Sequence, residues 1–260
     1  MTQQLRIRGA AIFLLAAGAI AAGDLPYAGK WKMNQAKSDF KGTTMTYSQT
    51  ATGEMEYNAD GLSYKFKTDG KEYPAVFGMT ATWKQIDPVT FETVDKMNGK
   101  VISTDTTKIS ADGKSMTVES KGTKPNGESF DDTVAFQRVS GGPGMAGKWK
   151  TAQVKVGSPG VMEFSAAGSD GLTLTLSDYQ ATCTAKFDGK DYPATGPQVP
   201  PGFTLAIRKT GARSFEMIEK DHGKDLYKVE YTVSADGKTL TEIGGATATN
   251  EKIKVVYDRQ

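Results

Sequence analysis

An internal repeat governs what this 260-residue chain can become. Ala28-Gly29-Lys30-Trp31-Lys32 recurs unchanged as Ala146-Gly147-Lys148-Trp149-Lys150. Asp69-Gly70-Lys71-Glu72-Tyr73-Pro74-Ala75 recurs as Asp188-Gly189-Lys190-Asp191-Tyr192-Pro193-Ala194, and Thr90-Phe91-Glu92-Thr93-Val94-Asp95-Lys96 as Ser214-Phe215-Glu216-Met217-Ile218-Glu219-Lys220. Ser110-Ala111-Asp112-Gly113-Lys114 returns as Ser234-Ala235-Asp236-Gly237-Lys238, and Val134 to Arg138 is answered by Val255 to Arg259. Collinear matches over so long a period describe a whole domain rather than one unit of a solenoid. The expected organisation is therefore two copies of one domain, residues 27–140 and 146–260, joined by a Gly/Pro-rich linker at 141–145.

Within each copy the hydrophobic period is two. Leu62, Tyr64 and Phe66 alternate with Ser63, Lys65 and Lys67; Leu172, Leu174 and Leu176 alternate with Thr173 and Thr175. Such alternation buries one face of a strand and wets the other. Asn98-Gly99, Asp112-Gly113, Asn126-Gly127, Asp170-Gly171, Asp188-Gly189 and Asp236-Gly237 separate these runs. Asn-Gly and Asp-Gly supply the positive φ angles of tight hairpins, so the pairing is antiparallel. The count is roughly eight to ten strands per copy. Consecutive hairpins of that number need their edges hidden, and closing the sheet into an up-and-down barrel does so. The expected fold class is all-β: two small tandem antiparallel up-and-down barrels.

The N-terminus reads as a targeting segment. Arg6 and Arg8 precede the apolar run Ala10–Ala17, which ends among Ala19, Ala21 and Ala22. Residues 1–22 fit a cleaved signal peptide, too short an apolar run for a comfortable membrane span. No Cys stands at the cleavage site, so the expectation is a periplasmic or secreted protein, not a lipoprotein, with no stable membrane anchor after cleavage. The chain carries 32 Lys and Arg against 30 Asp and Glu, and loss of Arg6 and Arg8 balances them. That balance gives no support for a nucleic-acid partner. Cys183 is the single cysteine, so stability comes without an internal disulfide.

Gly29-Lys30-Trp31 and Gly147-Lys148-Trp149 resemble the Gly-x-Trp motif on the first strand of the lipocalins. The resemblance implies a Trp at the closed end of each barrel with an Arg from the last strand lying across it. Within each copy this pairs Arg138 with Trp31 and Arg259 with Trp149. The chain looks most like bacterial secreted proteins with tandem lipocalin-like domains. It departs from lipocalins in its shorter copies, in lacking the helix after the barrel, and in having Thr104-Asp105 without the Tyr of the Thr-Asp-x-x-Tyr pattern.

No catalytic constellation stands out. His222, the single histidine, has no second histidine for a metal site and sits beside Gly223 as a turn residue. Asp131 and Asp132 are adjacent on a strand and point to opposite faces. Tyr73 and Tyr192 follow Asp-Gly-Lys turns and offer a ring and a hydroxyl at a barrel mouth. Copy two replaces Tyr57, Tyr64 and Phe66 by Leu174, Cys183 and Ala185, which points to the roomier interior. The expected ligand-binding residues are accordingly Leu174, Cys183, Ala185, Tyr192 and Phe215, with Tyr73 in the first copy. No cofactor, metal or catalytic residue is expected. The leading functional expectation is an exported non-enzymatic binding protein for a small apolar or amphipathic ligand. A tandem structural or protein-interaction module of the cell envelope with filled barrels is the alternative. An enzyme using barrel-mouth Tyr and carboxylates is the weaker alternative.

Overall fold

A computed structural model describes residues 25–260; the signal segment expected at 1–22 lies outside them. The described residues form twenty strands and three short 3-10 turns. In chain order the strands are β1 (Gly29–Met33), β2 (Thr44–Gln49), β3 (Met55–Ala59), β4 (Leu62–Phe66), β5 (Asp69–Pro74), β6 (Thr80–Asp87), β7 (Thr90–Met97), β8 (Lys100–Ile109), β9 (Ser115–Thr123) and β10 (Ser129–Ser140). They continue as β11 (Gly147–Lys155), β12 (Val161–Ala167), β13 (Gly171–Leu176), β14 (Ala181–Lys186), β15 (Tyr192–Pro193), β16 (Phe203–Gly211), β17 (Ser214–Asp221), β18 (Lys224–Val233), β19 (Thr239–Ala246) and β20 (Ile253–Arg259). All pair antiparallel, in two ten-stranded, nearly closed barrel sheets.

The two sheets are ordered β4-β3-β2-β11-β10-β9-β8-β7-β6-β5 and β14-β13-β12-β1-β20-β19-β18-β17-β16-β15. Both are meanders except at one place, where each incorporates the first strand of the other copy. Trp149 on β11 stands opposite Arg138 of β10 and Met45 of β2, both of copy one. Trp31 on β1 stands opposite Arg259 of β20 and Met162 of β12, both of copy two. Among the described residues the compact units are accordingly 40–158 (unit 1), and 25–39 together with 159–260 (unit 2). This corrects the boundaries expected at 27–140 and 146–260. Unit 1 is an insertion between the first and second strands of unit 2.

The linker expected at 141–145 is instead part of the β10–β11 connection inside unit 1. Gly141 adopts φ +113°, and a Cβ there would lie 2.5 Å from the Gly147 Cα. Met145 is buried, and its carbonyl accepts the Trp149 indole N–H at 2.9 Å. The chain crosses from unit 1 to unit 2 at 158/159, where the wholly buried Lys124 ammonium holds Ser158 Oγ at 2.9 Å and Glu128 at 3.3 Å. Asp132 Oδ1 accepts the Gly157 N–H at 3.0 Å. Asp131 is exposed and Asp132 buried, as strand alternation requires.

The Trp–Arg stack exists in both units, with its partners exchanged relative to the expectation. The Arg138 guanidinium carbon lies 4.0 Å from the Trp149 ring centroid, and that of Arg259 lies 4.2 Å from the Trp31 ring. Each guanidinium also serves three backbone carbonyls. Arg138 donates to Gly113, to Ala146 (2.8 Å) and to Gly144 (2.6 Å). Arg259 donates to Gly237, Ala28 and Pro26 at 2.6–2.7 Å. Two repeated motifs meet here: the Ser-Ala-Asp-Gly-Lys turn supplies the Gly113 or Gly237 carbonyl, and the Gly of Gly-Lys-Trp leaves room for the guanidinium. A Cβ at Gly29 would sit 2.6 Å from Arg259 Nη1, and one at Gly147 2.8 Å from Arg138 Nη1.

Candidate functional site

A cavity of about 80 Å³ lies inside unit 1. Its aromatic wall comes from Tyr47 on β2, Tyr57 on β3, Tyr64 on β4 and Trp83 on β6. These rings form a connected set: Tyr47 is 5.4 Å from Tyr57 and 6.0 Å from Trp83, and Tyr57 is 5.3 Å from Tyr64, centroid to centroid. Phe66 stacks on Trp83 at 4.4 Å, and the Trp83 indole N–H donates to the Tyr64 hydroxyl at 3.2 Å. Period-two alternation brings these side chains inward from successive strands.

The lining also has polar members, beginning with Thr93, the ladder partner of Trp83. Thr93 and Asp95 on β7, with Asp105 and Thr107 on β8, line the cavity. Thr93 stands directly opposite Asp105 in the ladder, and Asp95 opposite Ser103, whose hydroxyl donates to it at 3.3 Å. Asp95 and Asp105 are thus diagonal neighbours on one face, a spacing of about 7–8 Å. The Thr93 hydroxyl oxygen is buried with no hydrogen-bond partner. Among the described residues lining the cavity there is no Lys, Arg or His. Burial raises the Tyr47, Tyr57 and Tyr64 pKa values above the ordinary phenol value, and the negative charge of Asp95 raises all three further. The phenols therefore stay protonated and uncharged at neutral pH.

One end of the cavity is covered by the β5–β6 connection, from which Ala75, Val76 and Met79 reach the lining. Val76 and Met79 pack with Met97 and Ile102, flanked by Leu62, Tyr64 and Phe77. Phe77 holds φ 60°, ψ 32°, a left-handed conformation unusual for a bulky residue.

The residues expected to bind a ligand lie elsewhere. Leu174 and Cys183 are opposite one another on β13 and β14, and Ala185 is opposite Leu172. In that barrel Phe215 is fully buried at the hub of an aromatic cluster, 4.8 Å from Tyr27, 5.0 Å from Tyr231 and 5.4 Å from Phe164. Phe187 joins it at 6.0 Å. Tyr27, Phe187 and Tyr231 bring ring volume to an interior where Tyr57, Tyr64 and Phe66 have small counterparts. Cys183 is buried, and desolvation pushes its thiol up to about 11. Tyr73 and Tyr192 serve their own turns: each hydroxyl donates to the Asp four residues earlier, Asp69 at 3.0 Å and Asp188 at 3.1 Å. His222 and its counterpart Asn98 both take left-handed φ, 48° and 52°, before a Gly, as hairpin turns demand.

Thr93, Asp95, Asp105, Thr107 and Trp83 were missed by sequence reasoning, although a signal was present. Thr93 and Asp95 share strand parity with the buried Phe91 and Met97, and Asp105 and Thr107 share it with Ile109. Polar residues at core parity are the anomaly worth noticing. The repeat sharpens it: Met217, Val229 and Tyr231 stand in copy two where Thr93, Asp105 and Thr107 stand in copy one.

No family model matches the chain, and no curated protein or solved structure is significantly similar to it.

Proposed function

We propose that this is an exported, non-enzymatic binding protein whose first barrel holds a small amphipathic ligand. The observation that carries the reading is the cavity in unit 1, whose lining combines aromatic rings with the polar side chains of Thr93, Asp95, Asp105 and Thr107. A volume of about 80 Å³ is several times what one water needs, and smaller than an engineered cavity that holds benzene. The ligand, or the part of it that enters, is therefore a few heavy atoms in size, well short of a fatty acid. Export rests on the N-terminal segment. Similarity to the lipocalins rests on the Gly-Lys-Trp motifs and on the Trp–Arg stack between two neighbouring strands of each sheet.

Unit 2 fits the filled-barrel alternative better, because the Phe215 cluster occupies its interior. The reading is tested by titrating the full chain with small amphipathic compounds, isobutanol and isobutylammonium first, followed by NMR at the Trp83 indole. Saturable shifts are expected, and Thr107→Tyr should abolish them without unfolding. That variant places in unit 1 the residue that unit 2 already carries as Tyr231. Absence of saturable binding by every compound would overturn the proposal.

A further inference from the structure

Resting on that reading, we infer that the unit 1 cavity selects a small organic cation, an alkylammonium ion whose alkyl part lies against Tyr47, Tyr57, Tyr64 and Trp83. Three independent observations converge on it. First, the lining brings two carboxylates, Asp95 and Asp105, to one face of neighbouring strands, with no basic side chain among the described lining residues. An anionic ligand entering there meets like charge in a site of low dielectric, whereas a cation meets its complement. Second, the lining includes the electron-rich rings of Tyr47, Tyr57, Tyr64 and Trp83, and such rings attract cations through the ring quadrupole. Third, Thr93 is 3% exposed and its hydroxyl oxygen has no hydrogen-bond partner in the structure. It lines the cavity directly opposite Asp105 and offers an acceptor to an N–H donor. A buried polar atom left without a partner is destabilising, so a ligand that satisfies it gains by binding.

The second barrel serves as an internal control. It forms the same sheet with Val229 in place of Asp105, Met217 in place of Thr93 and Tyr231 in place of Thr107, all three buried. The fold therefore does not demand polar residues at these positions. Unit 2 keeps a buried carboxylate, Glu219, at the position of Asp95, so the carboxylate that sets the unit 1 cavity apart is Asp105, where unit 2 has Val229; Glu242, also buried, accepts a 2.7 Å hydrogen bond from the Tyr257 hydroxyl.

The test uses three compounds of nearly one shape and different charge: isobutylammonium, isobutanol and isobutyrate. Each is titrated by NMR and calorimetry into the purified full chain at neutral pH and fixed ionic strength. The expected result is saturable binding of the ammonium, about tenfold or more tighter than the alcohol, and no binding of the carboxylate. Asp95→Asn and Asp105→Asn should each remove most of that preference. Thr107→Tyr should block all binding. The wild-type comparison needs no variant, so it stands even where one fails to fold. Alcohol binding as tight as the ammonium's overturns the cation preference while the amphipathic reading survives. Ammonium binding that persists in Thr107→Tyr places the site elsewhere and overturns the inference. No saturable binding of any compound overturns both.

Discussion

Replacement of Arg138 by Ala discriminates between the observed strand exchange and two self-contained copies. Arg138 lies 4.0 Å over Trp149 and donates to three carbonyls, those of Gly113, Gly144 and Ala146. The stack contributes about 0.5–2 kcal/mol, more where water is excluded. Partial burial of this guanidinium, which lowers its pKa, places it above the floor of that range. Each charge-assisted hydrogen bond adds about 1.5–3 kcal/mol when its acceptor cannot rehydrate. These acceptors lie in turns open to water, so most of that amount is recovered on truncation. A net loss of about 2–4 kcal/mol from unit 1 follows, equivalent to roughly 6–15 °C in melting temperature for a domain of this size. The assay is thermal denaturation joined to NMR of the tryptophan indole N–H groups. Arg138→Ala should shift the Trp149 indole, whose N–H donates to Met145, and leave that of Trp31, held by Tyr27, in place. Arg259→Ala should do the reverse. If Arg138→Ala instead moves the Trp31 resonance and spares Trp149, each copy keeps its own first strand and the exchange is refuted.

A fragment spanning residues 40–158 should fold cooperatively as a monomer, because it contains every strand of unit 1; a fragment of 27–140, without β11, should melt lower, and calorimetry of the two decides. Gly147→Ala should destabilise unit 1 by about 1–3 kcal/mol in denaturant titrations, since the residue holds φ +141° and its Cβ would fall 2.4 Å from the Ser140 carbonyl oxygen. Gly29→Ala should lose less, because its closest contact is the end of the flexible Arg259 side chain. Cys183 should resist thiol reagents in the native protein, and stability should decline at alkaline pH. Its thiol contributes fully below the reference value of 9.0, and that contribution is lost as pH rises toward about 11, because the unfolded chain releases the proton first. Cys183→Ala should flatten stability against pH in that window, and an unchanged slope would exclude the thiol as its source.

The antiparallel all-β class was legible because its causes are local. Alternation fixes which face of a strand is buried, and Asp-Gly and Asn-Gly fix where it turns; Gly99, Gly113, Gly127, Gly189 and Gly237 all take positive φ. The strand exchange was not legible, because Gly-Lys-Trp-Lys is identical in the two copies and each barrel presents the same complement, an Arg and an Asp-Gly turn. A repeat thus reveals the slot and its occupant but not which copy of the occupant fills which slot. Only the residues beyond the shared stretch differ. Copy two continues with Val154 and Val156, both buried, and extends β11 along β10 as far as Thr133. Copy one has Ala36 and Ser38 there and turns into a short 3-10 helix, with Asn34 and Lys37 bound to Asp258. The ring that Tyr27 adds to unit 2 was not legible for a related reason: it enters from before the first strand, outside the aligned strand positions.

The inserted topology imposes an order on folding. Unit 2 must join β1 to β20 and β12 across the whole of residues 40–158. Were that stretch unfolded, closing so long a loop would cost about 4 kcal/mol in chain entropy before any contact repaid it. Once unit 1 is folded its N-terminal segment already lies beside β11, its last strand. Gly42 donates to the Thr151 carbonyl at 3.2 Å, and the Thr43 and Thr151 hydroxyls meet at 2.9 Å. The loop that separates β1 from β12 then shrinks to the short stretches on either side of the folded insert. Formation of unit 1 therefore lowers the entropic barrier to unit 2, while unit 1, being continuous in sequence, needs nothing from unit 2 in return. The dependence is one-way, and it places the barrel that carries the polar cavity in the part of the chain that can fold by itself.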